Sequence, residues 1–354
     1  MKLAVLPGDD IGPEITAATL EVLDAADQRF GLGLEYDRHE VGMASHRAEG
    51  TTLPESVLRA AQEADGMVLG PAGMTEYPPL DQGGVNVPGT VRKRFELYAN
   101  IRPARSRIGV ANARPGLDCV IVRENTEGFY ADRSLFNGYG EFMPTEDVAM
   151  SMRVITARAS RRIATVAFER ARQRRGHVTV VGKRHVLQVT DGLFMDQVRA
   201  VAADHPDVEL REIDIDAMAA AVYTQPGDFD VILTTNMFGD ILSNLTAALS
   251  GGLGLSASLN VGDDYAAANA GHGSAPDIAG RGIANPTSLI LSSALLLRWW
   301  SGRSGNSAFE AAASRIEEVA DEVLAEGKTV TADLGGSAST IEYARELCSR
   351  IAAE

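Results

Sequence analysis

The chain has 354 residues, 45% hydrophobic and 23% charged, which is enough apolar sequence for one large or two medium domains and too much for disorder. A formal charge of −15 lacks the basic footprint that nucleic-acid phosphates need, so no nucleic-acid partner is expected. Cys119 and Cys348 make neither a disulfide framework nor a zinc spacing, and no apolar run is long enough to span a membrane; a cytoplasmic protein is the expectation.

Apolar strand-like runs alternate with helical patterns along the chain. "KLAVLP" leads into a predicted helix from about Pro13 to Arg29, and a helix over 54–64 leads into "GMVLG" at 66–70. "DCVIVREN" at 118–125, "HVTVVGK" at 177–183 and "FDVILTTN" at 229–236 adjoin further helical stretches, which predicts an α/β sheet with helices on its faces. Residues 131–147, "ADRSLFNGYGEFMPTED", read as a hairpin-like excursion. The arginine cluster in "RASRRIATVAFERARQRRGH" reads as a solvated helix face.

Three stretches could carry chemistry. "LPGDDIGPE" follows a strand and opens a helix, but it lacks both the G-x-G-x-x-G spacing of a Rossmann fingerprint and the P-loop lysine. "GHGSAPDIAGRGIANP", residues 271–286, combines a His, small residues and Asp277; an acid beside a ribose can accept from its hydroxyls and repel a 2′-phosphate, so a nucleotide loop and an irregular structural loop both remain open. In "TTNMFGDILSNL", Asp240 and Asn244 are one helical turn apart, which suits half of a metal site or simply the polar start of a buried helix.

Together with "RENTEGFY", these stretches resemble the β-decarboxylating dehydrogenases: the isocitrate, 3-isopropylmalate, homoisocitrate, tartrate and D-malate dehydrogenases. The resemblance runs from "LPGDDIGPE" to "TADLGGSAST", almost the whole chain. It implies an isocitrate/isopropylmalate dehydrogenase-like two-domain α/β fold, with a cofactor domain of 1–97 plus 251–354, a substrate, metal and dimerisation domain of 98–250, and 131–147 as a dimerisation arm. It implies NAD- and Mg²⁺- or Mn²⁺-dependent oxidation and decarboxylation of a 2-hydroxy diacid by a homodimer with shared sites.

By the same resemblance, Arg92, Arg102 and Arg123 hold the substrate carboxylates, Lys183, contributed from the partner chain, is the base or relay, and Tyr130 is the acid. Asp216, from the partner chain, Asp240 and Asn244 hold the metal. Ile11, His272, Gly273, Ser274, Ala275, Pro276, Asp277, Ile278 and Asn285 bind the cofactor, and Asp277 implies NAD over NADP.

Four positions depart from the family pattern. Asp10 replaces a Gly, His185 an Asn and Asn269 a Glu, while Asn244 stands where a second acid is expected, which implies a weaker metal site. Asn86 and Pro88 fit neither the isocitrate nor the isopropylmalate pattern, so the substrate expected is a 3-substituted malate, D-malate or tartrate. The alternative is a non-catalytic regulatory or binding subunit of the same descent.

Overall fold

The computed structural model describes residues 1–130, 132, 135, 138 and 140–353; the others, at the start of the predicted arm and at Glu354, lie outside the described residues. The chain divides into two units, Met1–Phe95 with Arg107–Ala113 and Ser250–Glu354, and Glu96–Ser106 with Arg114–Leu249.

The first unit opens with β1 (Lys2–Leu6), α1 (Gly12–Phe30), β2 (Glu35–Arg38), α2 (Met43–Glu49), α3 (Glu55–Gln62), β3 (Gly66–Leu69) and α4 (Val87–Arg94). The second carries β4 (Ala99–Arg105), β5 (Asp118–Glu124), β6 (Glu141–Thr145), β7 (Val148–Ser151), α5 (Ala157–Arg172), β8 (His177–Gly182), α6 (Thr190–Ala203), β9 (Glu209–Asp214), α7 (Ile215–Thr224), β10 (Val231–Thr234) and α8 (Asn236–Leu249). The chain then returns to the first unit with β11 (Leu259–Val261), β12 (Ala266–Asn269), α9 (Thr287–Ser304), α10 (Ala308–Glu326) and α11 (Thr340–Ala352).

In the first unit the strand order is β2-β1-β3-β12-β11, parallel except for β11 against β12. In the second it is β4-β5-β10-β8-β9, parallel except for β4 against β5. The inner strands are buried beyond their first residues, and β10 throughout, which explains why β1, β5, β8 and β10 read as largely continuous apolar runs and not as alternating ones. Helix α1 stops where Gly31 takes φ 66°, a left-handed cap whose N–H bonds the Asp27 carbonyl.

The strands β6 and β7 pair as an antiparallel hairpin within 141–151, overlapping the predicted excursion over 141–147, and every residue of both is exposed. The arginines around α5 are more engaged than a solvated face implies. Arg174 holds the buried Asp230 at 2.6 Å, and Arg162 lies 4.2 Å from the Tyr98 ring centroid. Among the described residues, no helix is long and apolar enough to cross a membrane.

Candidate active site

In the second unit, one face of α8 gathers a charged cluster. Asn236, Asp240 and Ser243 follow the i, i+4, i+7 spacing that lines one side of a helix. Arg123, at the end of β5, is 2% exposed, and its Nε and Nη2 donate to Asn236 Oδ1 at 2.9 and 2.7 Å. Its Nη1 bonds Asp240. Arg102, from β4, donates through Nη1 to Ser243 Oγ at 2.8 Å and through Nε to Asn100 Oδ1 at 2.7 Å, and it lies 3.9 Å from Asp240. The Tyr130 hydroxyl donates to the other Asp240 oxygen at 3.0 Å, and its ring lies 5.6 Å from the Arg123 guanidinium.

Among the described residues, two buried guanidiniums thus share one carboxylate. Burial pushes Arg102 down to about 10 and the neighbouring Arg123 adds to the fall, while Asp240 opposes it; the group stays charged at neutral pH. Among the described residues, two guanidiniums around one carboxylate in a desolvated place suit an entering carboxylate. Asn236 and Ser243, which fix the two arginines, were not singled out in the sequence, although their polar spacing within a buried helix was visible.

Lys183, just past β8, belongs to a second group. Its ammonium bonds Asp216 and lies 3.3 Å from Asp214, while His185 Nδ1 pairs with the same Asp214 at 2.9 Å. The hydrogen bond that Lys183 donates to Asp216 holds its ammonium above its ordinary value, and Asp214 adds to this. That is the reverse of the lowering a general base needs, because two carboxylates stabilise the ammonium. No three acidic, His or Cys side chains among the described residues come together to hold a metal.

In the first unit a cavity of about 450 Å³ is lined by six of the nine predicted cofactor residues: Ile11, His272, Gly273, Ala275, Ile278 and Asn285. Ser274 is buried behind it, and its carbonyl receives the Ile11 N–H at 3.1 Å; Pro276 and Asp277 lie exposed on the adjoining turn that Ile278 ends. His272 Nε2 is buried without a partner among the described residues, and burial holds the ring below its ordinary value, so it is neutral at neutral pH. Sequence reasoning missed Asp333, in "TADLGG", which lines the same cavity and accepts from Asn285 Nδ2 at 2.9 Å.

The remaining predicted positions are individually explained. Arg92 is buried on α4. Asn86 caps that helix, its Oδ1 accepting the Gly89 N–H at 2.9 Å, so its side chain is committed to the backbone. Asp10 takes φ 53°, the left-handed conformation that Asp tolerates in place of Gly. Asn269 is buried and donates to the Leu69 carbonyl at 3.0 Å, while Asn244 is exposed one turn beyond Asp240.

The sequence matches the isocitrate/isopropylmalate dehydrogenase family over residues 2–347. It is 42% identical to the 3-isopropylmalate dehydrogenase of Methanothermobacter thermautotrophicus over 353 residues, 99% of this chain and 98% of that one. It is 41% identical to the isocitrate/homoisocitrate dehydrogenase of Thermus thermophilus over 341 residues, 96% of this chain and 95% of that one. The crystal structure of isocitrate dehydrogenase from Methylococcus capsulatus superposes with a TM-score of 0.88 at 38% identity, covering 99% of both chains. Fold and relatives together define an oxidoreductase of α/β architecture. The chain belongs to the isocitrate/isopropylmalate dehydrogenase family and is a dehydrogenase that oxidatively decarboxylates a hydroxy acid.

Proposed function

We propose that the protein oxidises and decarboxylates a 2-hydroxy diacid (a 3-substituted malate, D-malate or tartrate) with NAD and Mg²⁺ or Mn²⁺, as a cytoplasmic homodimer with shared sites. The observation that carries this is the pair of buried guanidiniums, Arg102 and Arg123, sharing the single carboxylate of Asp240. A buried guanidinium is costly unless anions pair with it, and a diacid supplies one. Arg92 keeps the third substrate role given by the resemblance.

The donor chemistry fits a hard cation. Asp240 and Asn244 offer oxygens one turn apart, and Asp216 is the acid proposed to come from the partner. The cavity beside Ile11 and His272 is within the size range of cofactor sites, and the orphan Nε2 of His272 gives it a polar handle. Once bound, the cation would polarise the substrate hydroxyl and NAD would take up the hydride. Arg102 and Arg123 orient the carboxylates, Lys183 takes or relays the hydroxyl proton, and Tyr130 returns a proton to carbon after CO₂ leaves. Asp277 favours NAD by accepting from the ribose hydroxyls. The dimer reading is supported by the exposed Phe142, Met143 and Met150 of the hairpin.

The test is NADH formation with Mn²⁺ or Mg²⁺ across isocitrate, 3-isopropylmalate, D-malate, tartrate and homoisocitrate. Metal-dependent turnover of one of them is expected. No turnover of any, from a folded dimer that binds NAD, would replace this reading with the non-catalytic subunit.

A further inference from the structure

We infer that Asp191, held by Arg153, is a positioning residue for Lys183. Lys183 is the first residue beyond β8, so its backbone N–H has left the sheet ladder where β8 ends. Asp191, on the first turn of α6, reaches back eight positions, and its Oδ2 accepts that N–H at 2.6 Å. Its own backbone N–H bonds the Leu187 carbonyl at 2.9 Å, and the Lys183 carbonyl accepts from Leu187 at 2.8 Å, so the lysine is clamped from both sides of its peptide. The carboxylate approaches so closely that a Cβ at Gly182 would lie 3.2 Å from Asp191 Oδ2.

Asp191 is fully buried, and among the described residues its charge is matched by Arg153, whose Nη1 meets Asp191 Oδ1 at 2.5 Å, with side-chain exposures of 7% and 0%. The same guanidinium donates to Thr190 Oγ1 at 2.8 Å and Thr235 Oγ1 at 3.1 Å. It also lies 5.7 Å from the Phe129 ring centroid and 5.4 Å from that of Phe238. Phe129 precedes Tyr130, and Thr235 and Phe238 precede Asp240 by five and two positions. Arg153 therefore ties the lysine's turn to the segments of the same chain that carry Tyr130 and Asp240. A carboxylate buried at this cost, bonded to a backbone N–H and an arginine, fixes a direction that a flexible, half-buried lysine stem cannot fix by itself.

The inference rests on Lys183 as the group that takes the hydroxyl proton, and two readouts separate the claims. The first is independent of activity. In the dimer, Asp191→Asn is expected to raise hydrogen exchange of the peptide spanning Lys183 roughly tenfold or more, as one hydrogen bond to a charged group is weakened. Peptides from α5 and β10 keep their protection. Unchanged exchange at Lys183 overturns the inference, whether or not any substrate is turned over.

The second readout is a split between partial reactions. Asp191→Asn is expected to lower kcat for oxidation of the hydroxy acid on the order of 100-fold, with substrate KM within about twofold. Decarboxylation of the corresponding 3-carboxy-2-oxo acid, supplied directly, bypasses the hydroxyl proton and is expected to stay near the wild-type rate. Equal loss of both reactions, or a loss matched by the unfolded fraction, overturns the inference. If Asp191→Asn does not fold, Arg153→Lys, which keeps the charge but loses the fork, is read by the same two measurements.

Discussion

Gly239→Ala asks whether the geometry of Arg123 or the stability of α8 governs that face. The glycine is buried inside α8, and a Cβ built there would lie 2.6 Å from Arg123 Cγ and 2.7 Å from its Cβ. In an exposed helix, alanine would gain about 1 kcal/mol over glycine. Here the overlap forces the arginine stem aside, at about 1–3 kcal/mol for overpacking, so stability is expected to change by only ~0–2 kcal/mol. The guanidinium is hit harder, because its bonds to Asn236 and Asp240 depend on where the stem lies. Loss of one charge-assisted substrate contact is worth about 1.5–3 kcal/mol, roughly a 10- to 150-fold fall in kcat/KM. Denaturant unfolding and initial rates on the turned-over hydroxy acid measure the two effects. An alanine variant about 1 kcal/mol more stable, with kcat/KM within twofold of wild type, would show that Arg123 has room and refute the argument.

Asn244→Asp adds a carboxylate one turn from Asp240, and the Kd for Mn²⁺ is expected to fall roughly tenfold; an unchanged Kd in a titration of the dimer removes Asn244 from the metal site. Glu127 is buried and accepts from the Thr156 N–H and hydroxyl, both at 2.9 Å, and desolvation, followed by Glu124, pushes it up to about 7. Its folded value lies above its unfolded one, so the folded chain binds the extra proton and this contribution is lost as pH rises from about 4.5 through 7, by up to about 3 kcal/mol. Glu127→Gln should abolish that decline, and parallel stability-versus-pH curves for the two proteins would contradict it. Asp277→Ala is expected to shrink the NAD-over-NADP ratio of specificity constants roughly 10- to 100-fold; a wild-type enzyme that prefers NADP removes the premise.

The inner strands were legible because parallel strands covered on both faces leave an unbroken apolar signature. The edge strands were not. β2, "EYDR", and β9, "ELREID", are polar and partly exposed, and only pairing with β1 and β8 makes them strands. The tolerance of Asp10 for a left-handed backbone could be argued from residue chemistry alone. The arginines could be named from motifs, but not what fixes them: Asn236 meets Arg123 across 113 positions, and Ser243 meets Arg102 across 141. Asp191 was silent for a related reason, since its partner Arg153 lies 38 positions away and nothing local marks either as buried. The hairpin runs past the end of the expected excursion because aromatic and glycine content marks an irregular segment without fixing which residues pair.

The two buried arginines also divide the encounter with an anion into stages governed by opposite charges. At a distance a diacid approaches a body of net charge −15, and the far field slows its arrival. That field fades within a Debye length of about 8 Å at physiological ionic strength. Arg102 and Arg123 lie behind protein and not behind solvent, so salt barely weakens their grip. On the proposed roles of Arg102 and Arg123, added salt favours arrival of the acid while leaving its capture almost intact.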